Sequence, residues 1–223
     1  ISLRSLRAAK ALGARTIVER GSSHIRAQDE ILREESDLHG ISYTGIDPRV
    51  IAKELAEYEE ADFISVPSQF AKASFLKRGT PPEKLITVPY GVELSNFKPV
   101  RKTDSVFRIV QCSSLSLRKG VHYLVRAFHE LKLPDAELWL IGGMTPEIEP
   151  FIRKYANPNI ILKGTFGLDQ LHKQYSQCSV FCLPSIEEGM ALVQAQAMAC
   201  GLPLICSTNS GGGDLIRELS LIH

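Results

Sequence analysis

Short β-branched runs alternate with amphipathic helical stretches along most of this chain, and that rhythm constrains its fold more than any other feature. Two strands joined by a helical crossover run parallel, and a parallel sheet is covered by helices on both faces. Its strands therefore read as near-continuous apolar runs. From Phe107 onward the pattern is regular. Strands are expected over 107–112, 137–141, 160–163, 179–183 and 203–206, and helices over 121–131, 146–155, 169–178, 192–200 and 214–219. The earlier part offers helices over 2–12, 25–38, 48–60 and 68–78 but only three strands, over 16–19, 63–67 and 85–89. Between the two parts lies the polar stretch 93–105, with Pro99, Lys98, Arg101, Lys102 and Asp104, which reads as an interdomain linker.

The expected architecture is therefore α/β with parallel sheet, doubly wound in its second part and incomplete in its first. Residues 1–98 form the partial first domain, with too few strands to close its own core, and residues 99–223 form a nearly complete second one. The run Leu3, Leu6, Ala9, Leu12 follows Ile1 directly and reads as a beginning in mid-fold. Two such domains need roughly 300–400 residues in all. The portion expected to be missing is the front of the first domain.

Composition narrows the function. Of 223 residues, 44% are hydrophobic and 23% charged, and the net charge of +1 provides no electrostatic footprint for nucleic acid. The cysteines, Cys112, Cys178, Cys182, Cys200 and Cys206, are odd in number and set in apolar runs, so they read as reduced core residues of a cytoplasmic protein. Cys178 and Cys182 lack the partners that a zinc site at that spacing needs. No apolar run reaches the roughly 18 residues of a membrane span, and no signal peptide is visible.

The stretch Pro184 to Ile205 is the strongest functional signal. It puts Glu188 on a glycine turn between an apolar strand and an alanine-rich helix, with Gln196 two helical turns on. In an open parallel sheet, ligands bind beyond the carboxyl ends of the strands, and a helix N-terminus there favours phosphate. Glu188 is then suited to accept hydrogen bonds from sugar hydroxyls. Leu117-Arg118-Lys119-Gly120 follows the strand over 107–112, so Lys119 either places a point charge on that phosphate or is a solvated loop lysine. Gly164 lets backbone approach a flat ligand. Gly211-Gly212-Gly213-Asp214 is a second glycine-rich turn, or simply a flexible turn with Asp214 as helix cap.

Taken in order, these motifs resemble the retaining glycosyltransferases of family 4, whose GT-B fold sets two Rossmann-like domains across a donor cleft. The matching residues are Pro184-Ser185, Glu188-Gly189-Met190-Ala191-Leu192, the run Ala197 to Ile205, Gly211-Gly212 and Leu115 to Gly120. Further upstream they are Ala61 to Ser68 and Val88 to Phe97. The resemblance implies metal-independent transfer of a hexosyl unit from a nucleotide diphosphate sugar to a hydroxyl acceptor, with retention and with no cofactor. The acceptor is left open between a sugar, a lipid-linked and a small-molecule hydroxyl. It assigns Glu188 to the donor sugar, Lys119 to the diphosphate leaving group, and the backbone of Gly189, Met190, Ala191 and Leu192 to sugar and phosphate. The sequence contains no Asp-x-Asp cluster, in keeping with a metal-free site.

Two positions depart from the family pattern. Gln196 stands where a second glutamate usually grips the ribose, and an amide offers one acceptor oxygen where a carboxylate offers two. Ser114 stands where an arginine often clamps the diphosphate, for which Arg118 is the candidate replacement. His24, just after a first-domain strand, matches a histidine that positions the donor, or is a loop or capping residue. The stripe Arg4, Arg7, Lys10 reads as a solvated face or as a peripheral contact with an anionic membrane at its inner side. Two rival functions remain open: a non-catalytic nucleotide-sugar-binding module, and another GT-B enzyme such as a nucleotide-sugar epimerase or a phosphorylase.

Overall fold

In a computed structural model, which describes residues 3–219, the apolar runs pair into two separate parallel sheets. β1 (Ile17–Glu19), β2 (Phe63–Val66) and β3 (Leu85–Thr87) lie side by side in chain order. β4 (Phe107–Cys112), β5 (Ala136–Ile141), β6 (Ile160–Gly164), β7 (Val180–Leu183) and β8 (Leu204–Cys206) are arranged β6-β5-β4-β7-β8. The helices are α1 (Leu3–Ala11), α2 (Ile25–Leu38), α3 (Pro48–Glu60), α4 (Gln69–Leu76), α5 (Val121–Leu131), α6 (Glu149–Lys154), α7 (Leu168–Ser176), α8 (Leu192–Ala199) and α9 (Gly212–Leu219). No described helix is long and apolar enough to cross a membrane.

Local chemistry sets the helix ends. Asp47 caps α3 by accepting the Arg49 N–H at 2.8 Å, and Pro48 follows at the first position, where its missing N–H costs nothing. Ser68 caps α4 through the Ala71 N–H. The helix expected over 146–155 forms only as Glu149–Lys154. Pro150 accounts for this: with no N–H to give to the previous turn, it can sit only in the first turn.

The second sheet is buried on both faces. Along β5, Leu138 and Leu140 join α5 in one cluster with Leu124, Val125 and Phe128. Trp139 and Ile141 join the opposite one, with Leu171 and Tyr175 of α7 and Ala197 of α8. The first domain, contrary to expectation, also gathers a core. Ile64, Val66, Ala71 and Phe75 have no exposed surface and pack with Leu6, Ile25 and Tyr58, so helices α1 to α4 supply the cover that a three-stranded sheet lacks. The five thiols are free, four of them buried in these apolar surroundings.

The polar stretch after β3 forms no helix or strand through residue 106, but it is anchored. Phe97 is 5% exposed and sits in the second-domain core beside Tyr175, with ring centroids 6.3 Å apart. Val100 N–H donates to Ser176 Oγ at 2.9 Å, and Thr103 bonds Gln177. By packing, the linker belongs to the second domain from Phe97 on. Phe97→Ala should lower the unfolding free energy by about 3 kcal/mol in a urea titration, the range for removing a buried aromatic ring. A loss below about 1 kcal/mol would mean that the ring is not a core element.

Candidate functional site

The order β6-β5-β4-β7-β8 reverses direction once. The chain builds outward from β4 through β5 to β6, then crosses back to build β7 and β8 on the other side. The loops after β4 and β7 therefore diverge from a shared crevice at the sheet's carboxyl rim, the position where open α/β sheets take ligands. Lys119 is on the first of these loops and Glu188 on the second. Gly120 holds the first loop in place: at φ 67° it starts α5, and a side chain there would run into the Pro184 carbonyl oxygen.

Across this crevice the Lys119 ammonium donates to the Glu188 carboxylate, with 15% and 13% of the two side chains exposed. Burial and the neighbouring Arg118 guanidinium push the Lys119 pKa down to about 8, while Glu187 pulls it up. The Glu188 contact also favours the charged form, so the ammonium is protonated at neutral pH. Glu188 N–H donates to Asn209 O at 2.9 Å and Ala191 N–H to Ser210 O at 3.4 Å. The first amides of α8, at Leu192 and Val193, precede any intrahelical acceptor and remain available to an anion.

The residue that the sequence did not single out is Glu187. Its side chain has no exposed surface, and its Oε1 accepts from Ser23 N–H at 2.9 Å and Ser23 Oγ–H at 2.8 Å. Oε2 accepts from Gln28 Nε2 at 2.8 Å and Arg118 Nε at 3.0 Å. Burial alone raises the carboxyl pKa, but Arg118, the Ser23 bonds and Gln28 outweigh it, and the net shift is downward. Ser23 and Gln28 belong to the first domain, so one carboxylate joins the two. Arg20 extends the network by donating to Gln28 Oε1 at 2.7 Å and to Ser23 O at 3.0 Å. The available sequence signal was the Glu187-Glu188 pair itself, of which only one can face a ligand while the other turns inward.

The other expected site residues separate into groups. Gly189 lies at the domain contact, where a side chain would collide with the Gly21 carbonyl oxygen; Met190 and Ala191 are buried, and Leu192 is 39% exposed. Gln196 is 7% exposed, and its amide oxygen has no partner within the protein. Gly164 ends edge strand β6 at φ 72° in open space. Ser114 is exposed; its hydroxyl lies 3.5 Å from Ser116 Oγ and its carbonyl accepts from Ser113 Oγ at 3.1 Å.

Three groups of expected residues have partners within the protein. Arg118 donates to Glu187 and, at 3.1 Å, to Ser22 Oγ, tying the domains together. His24 caps α2 by accepting the Arg26 N–H at 3.2 Å, and its ring packs at 5.0 Å from Phe75 and 5.2 Å from Tyr58 with 5% exposure. Burial and the arginines at 78, 20 and 26 lower its pKa to about 4, so the ring is neutral at physiological pH, and the contacts from this loop to the second domain come from Ser22 and Ser23. The basic stripe is a solvated face on which Arg7 pairs with Glu60 at 2.6 Å and Lys10 with Asp62 at 3.3 Å. Asp214, for its part, accepts the Gln69 N–H at 2.7 Å and so caps first-domain helix α4.

A cavity of about 210 Å³ opens beside Arg118, between Leu32, Ser36 and Tyr43 of the first domain and Leu117 and Glu147 of the second. The family model described as glycosyl transferases group 1 matches residues 106–220, the whole of this second sheet and its helices. The chain belongs to that family. Among its relatives, a GDP-mannose-dependent phosphatidylinositol monomannoside mannosyltransferase of Mycolicibacterium smegmatis is 25% identical over 71% of this chain and 47% of its own length. An MMP α-(1→4)-mannosyltransferase of Mycolicibacterium hassiacum is 30% identical over 66% of this chain and 36% of its own. The chain thus spans less than half of these curated relatives.

Solved structures support the GT-B arrangement of the two parallel α/β units. Sucrose-phosphate synthase of Thermosynechococcus elongatus superposes with a TM-score of 0.72 at 22% identity, covering 94% of this chain and 55% of that one. HepE of Anabaena, solved with UDP and glucose, gives 0.69 at 15% identity, covering 96% and 59%.

In this member of the group 1 family the Glu187 network generates a direct prediction. Glu187→Gln keeps the shape but replaces two acceptor oxygens by one and leaves Arg118 only the more distant Glu188 carboxylate at 3.8 Å, which should cost about 3 kcal/mol of stability at neutral pH. Because the native pKa lies below the ordinary 4.5, the folded state holds fewer protons there than the unfolded one. The stabilisation is complete above that value and is lost as pH falls through the native pKa. Urea titrations should show the gap between wild type and variant closing as pH drops below about 4.5; a gap independent of pH would refute the assignment.

Proposed function

We propose that this chain is the donor-binding part of a retaining, metal-independent glycosyltransferase that moves a hexosyl unit from a nucleotide diphosphate sugar to a hydroxyl acceptor. The observation that carries the proposal is the half-buried Lys119–Glu188 ion pair at the switch point, beside the free amides of α8. Each charge in that pair satisfies the other while no substrate is bound. A nucleotide sugar offers better partners to both at once: its diphosphate takes the Lys119 ammonium and the α8 amides, and its sugar hydroxyls donate to Glu188.

The chemistry follows from charge development. As the bond from the anomeric carbon to the diphosphate breaks, negative charge grows on the leaving oxygen, and a fixed ammonium with fixed amide dipoles stabilises it more than it stabilises the ground state. Lys119 and α8 then fill the role that a divalent ion plays at other phosphate sites, and the absence of an Asp-x-Asp cluster from the sequence agrees with this. Retention is carried over from the family resemblance. For the acceptor, a lipid-linked or small-molecule hydroxyl is the favoured class, in line with the phosphatidylinositol monomannoside named for one relative. Gln196 and Ser114 favour one alternative, a module that binds the nucleotide sugar without transferring it. Tight donor binding by the full-length protein, with neither transfer nor hydrolysis, would select that reading.

Lys119→Ala in the full-length enzyme should lower kcat by about 10²–10³, the usual effect of removing one group that stabilises developing charge. Affinity for a nucleoside diphosphate should hold at neutral pH and fall as pH rises through about 8, where the free ammonium loses its proton. Lys119→Arg should retain binding and abolish that alkaline limb. If isothermal titration gives the same limb in both variants, Lys119 is not the phosphate cation.

A further inference from the structure

Away from the Lys119–Glu188 pair, the seam between the domains contains a second constellation. Glu35 is in the last turn of α2 of the first domain, His39 four residues on is that helix's C-cap, and His122 is near the start of α5 in the second. Glu35 Oε1 lies 2.7 Å from His122 Nε2 and 3.2 Å from His39 Nε2, and one ligand atom from each residue falls within 4.8 Å of the other two. The two rings stand 4.6 Å apart at 75°, so their edges converge on the carboxylate from different directions. His122 is 2% exposed, and its Nδ1 has no partner. As a stability device this is poor, because a buried imidazole is held by one hydrogen bond while its other nitrogen goes unsatisfied.

We propose that Glu35, His39 and His122 bind a divalent transition-metal ion of the zinc class, bridging the two domains. Three arguments support this. Two imidazole nitrogens with one carboxylate oxygen are a donor set for zinc, whereas magnesium and calcium require oxygen ligands. At bond lengths of 2.0–2.1 Å, the ligand atoms of a tetrahedral ion sit about 3.3–3.4 Å apart. The observed separations of 2.7 and 3.2 Å reach that with a slight opening of the two rings around the carboxylate. The i, i+4 spacing of Glu35, in the last turn of α2, and His39, at its C-cap, also holds two ligands on one side of the helix end, so the third, from α5, arrives with the other domain. Tyr123 is the remaining polar neighbour, its hydroxyl 3.4 Å from His39 Nε2. Three protein ligands leave the fourth position to water. The site is distinct from the donor machinery, and its consequence is mechanical: the bound ion fastens α2 to α5 and holds the cleft between the domains closed.

The test is titration of metal-free full-length protein with Zn²⁺ alone, by isothermal calorimetry. One ion should bind per chain. Glu35→Gln and His39→Asn, at the partly buried C-terminal end of α2, should each weaken binding by at least about 100-fold, beyond the 10–100-fold typical of outer-sphere partners, with circular dichroism checking that each variant is folded. Cys206→Ser, which removes the one partly exposed thiol, should leave binding unchanged. A Co²⁺-loaded sample should show ligand-field bands with no thiolate charge-transfer band. Zn²⁺ should raise Tm of the wild type and leave that of His39→Asn unmoved. Absence of uptake, or uptake that persists in folded Glu35→Gln and His39→Asn, overturns the proposal, as does loss of binding with Cys206→Ser.

Discussion

A carboxylate with no exposed surface stays ionised only if donors surround it, and Glu187 recruits its donors from both domains. Ser23 and Gln28 approach from one side, and Arg118 from the other. The rest of the site depends on this joint. Because the loop after β7 is pinned at Glu187, the next residue projects into the crevice, and Gly189 can pass against the Gly21 carbonyl where any side chain would collide. Arg118 is held by the same carboxylate, which fixes the neighbouring Lys119 on the opposite wall. The Lys119–Glu188 pair is thus set by a polar network one residue away from it on each strand loop.

The joint also divides labour between adjacent residues. Of Glu187 and Glu188, one is buried and hydrogen-bonded four times, and its role is rigidity; the other retains 13% exposure and a single strong partner, and it is free to exchange. Arg118 and Lys119 divide in the same way. The guanidinium, with its planar fork, suits a fixed bridge between backbone, carboxylate and hydroxyl, whereas the ammonium, a mobile point charge, suits a partner that comes and goes.

Much of this was legible in the sequence, for reasons that are physical. The β5 run reads as a strand because both of its faces are buried, and such runs allow few alternatives. Lys119 and Glu188 were legible because their placement depends only on which strand end precedes them. Features that depend on distant chain were not. The Ser23–Glu187 bond spans 164 positions, and nothing near Glu187 announces it. Arg118 was read as a phosphate clamp because its local setting is the same as that of Lys119; only the first domain's Ser22 and the inward-turned Glu187 separate their roles. His24 was drawn toward the donor by its position after a strand, but Tyr58 and Phe75, which claim its ring, are 34 and 51 residues further on.

The first domain shows how far a partial sheet can serve a site. Three strands would be marginal on their own, yet Phe75, Ile64 and Val66 are fully enclosed because α1 to α4 wrap the sheet. That core is what makes the Ser22 to His24 turn rigid. His24 is anchored within it by capping and ring packing, and Ser74 Oγ accepts its N–H at 2.7 Å. A turn held so firmly on one side can present the Ser23 N–H and hydroxyl to Glu187 with little further loss of conformational freedom, so the hydrogen bonds across the seam retain most of their strength. The packing of an aromatic cluster far from the crevice is therefore part of what places a glutamate at its mouth.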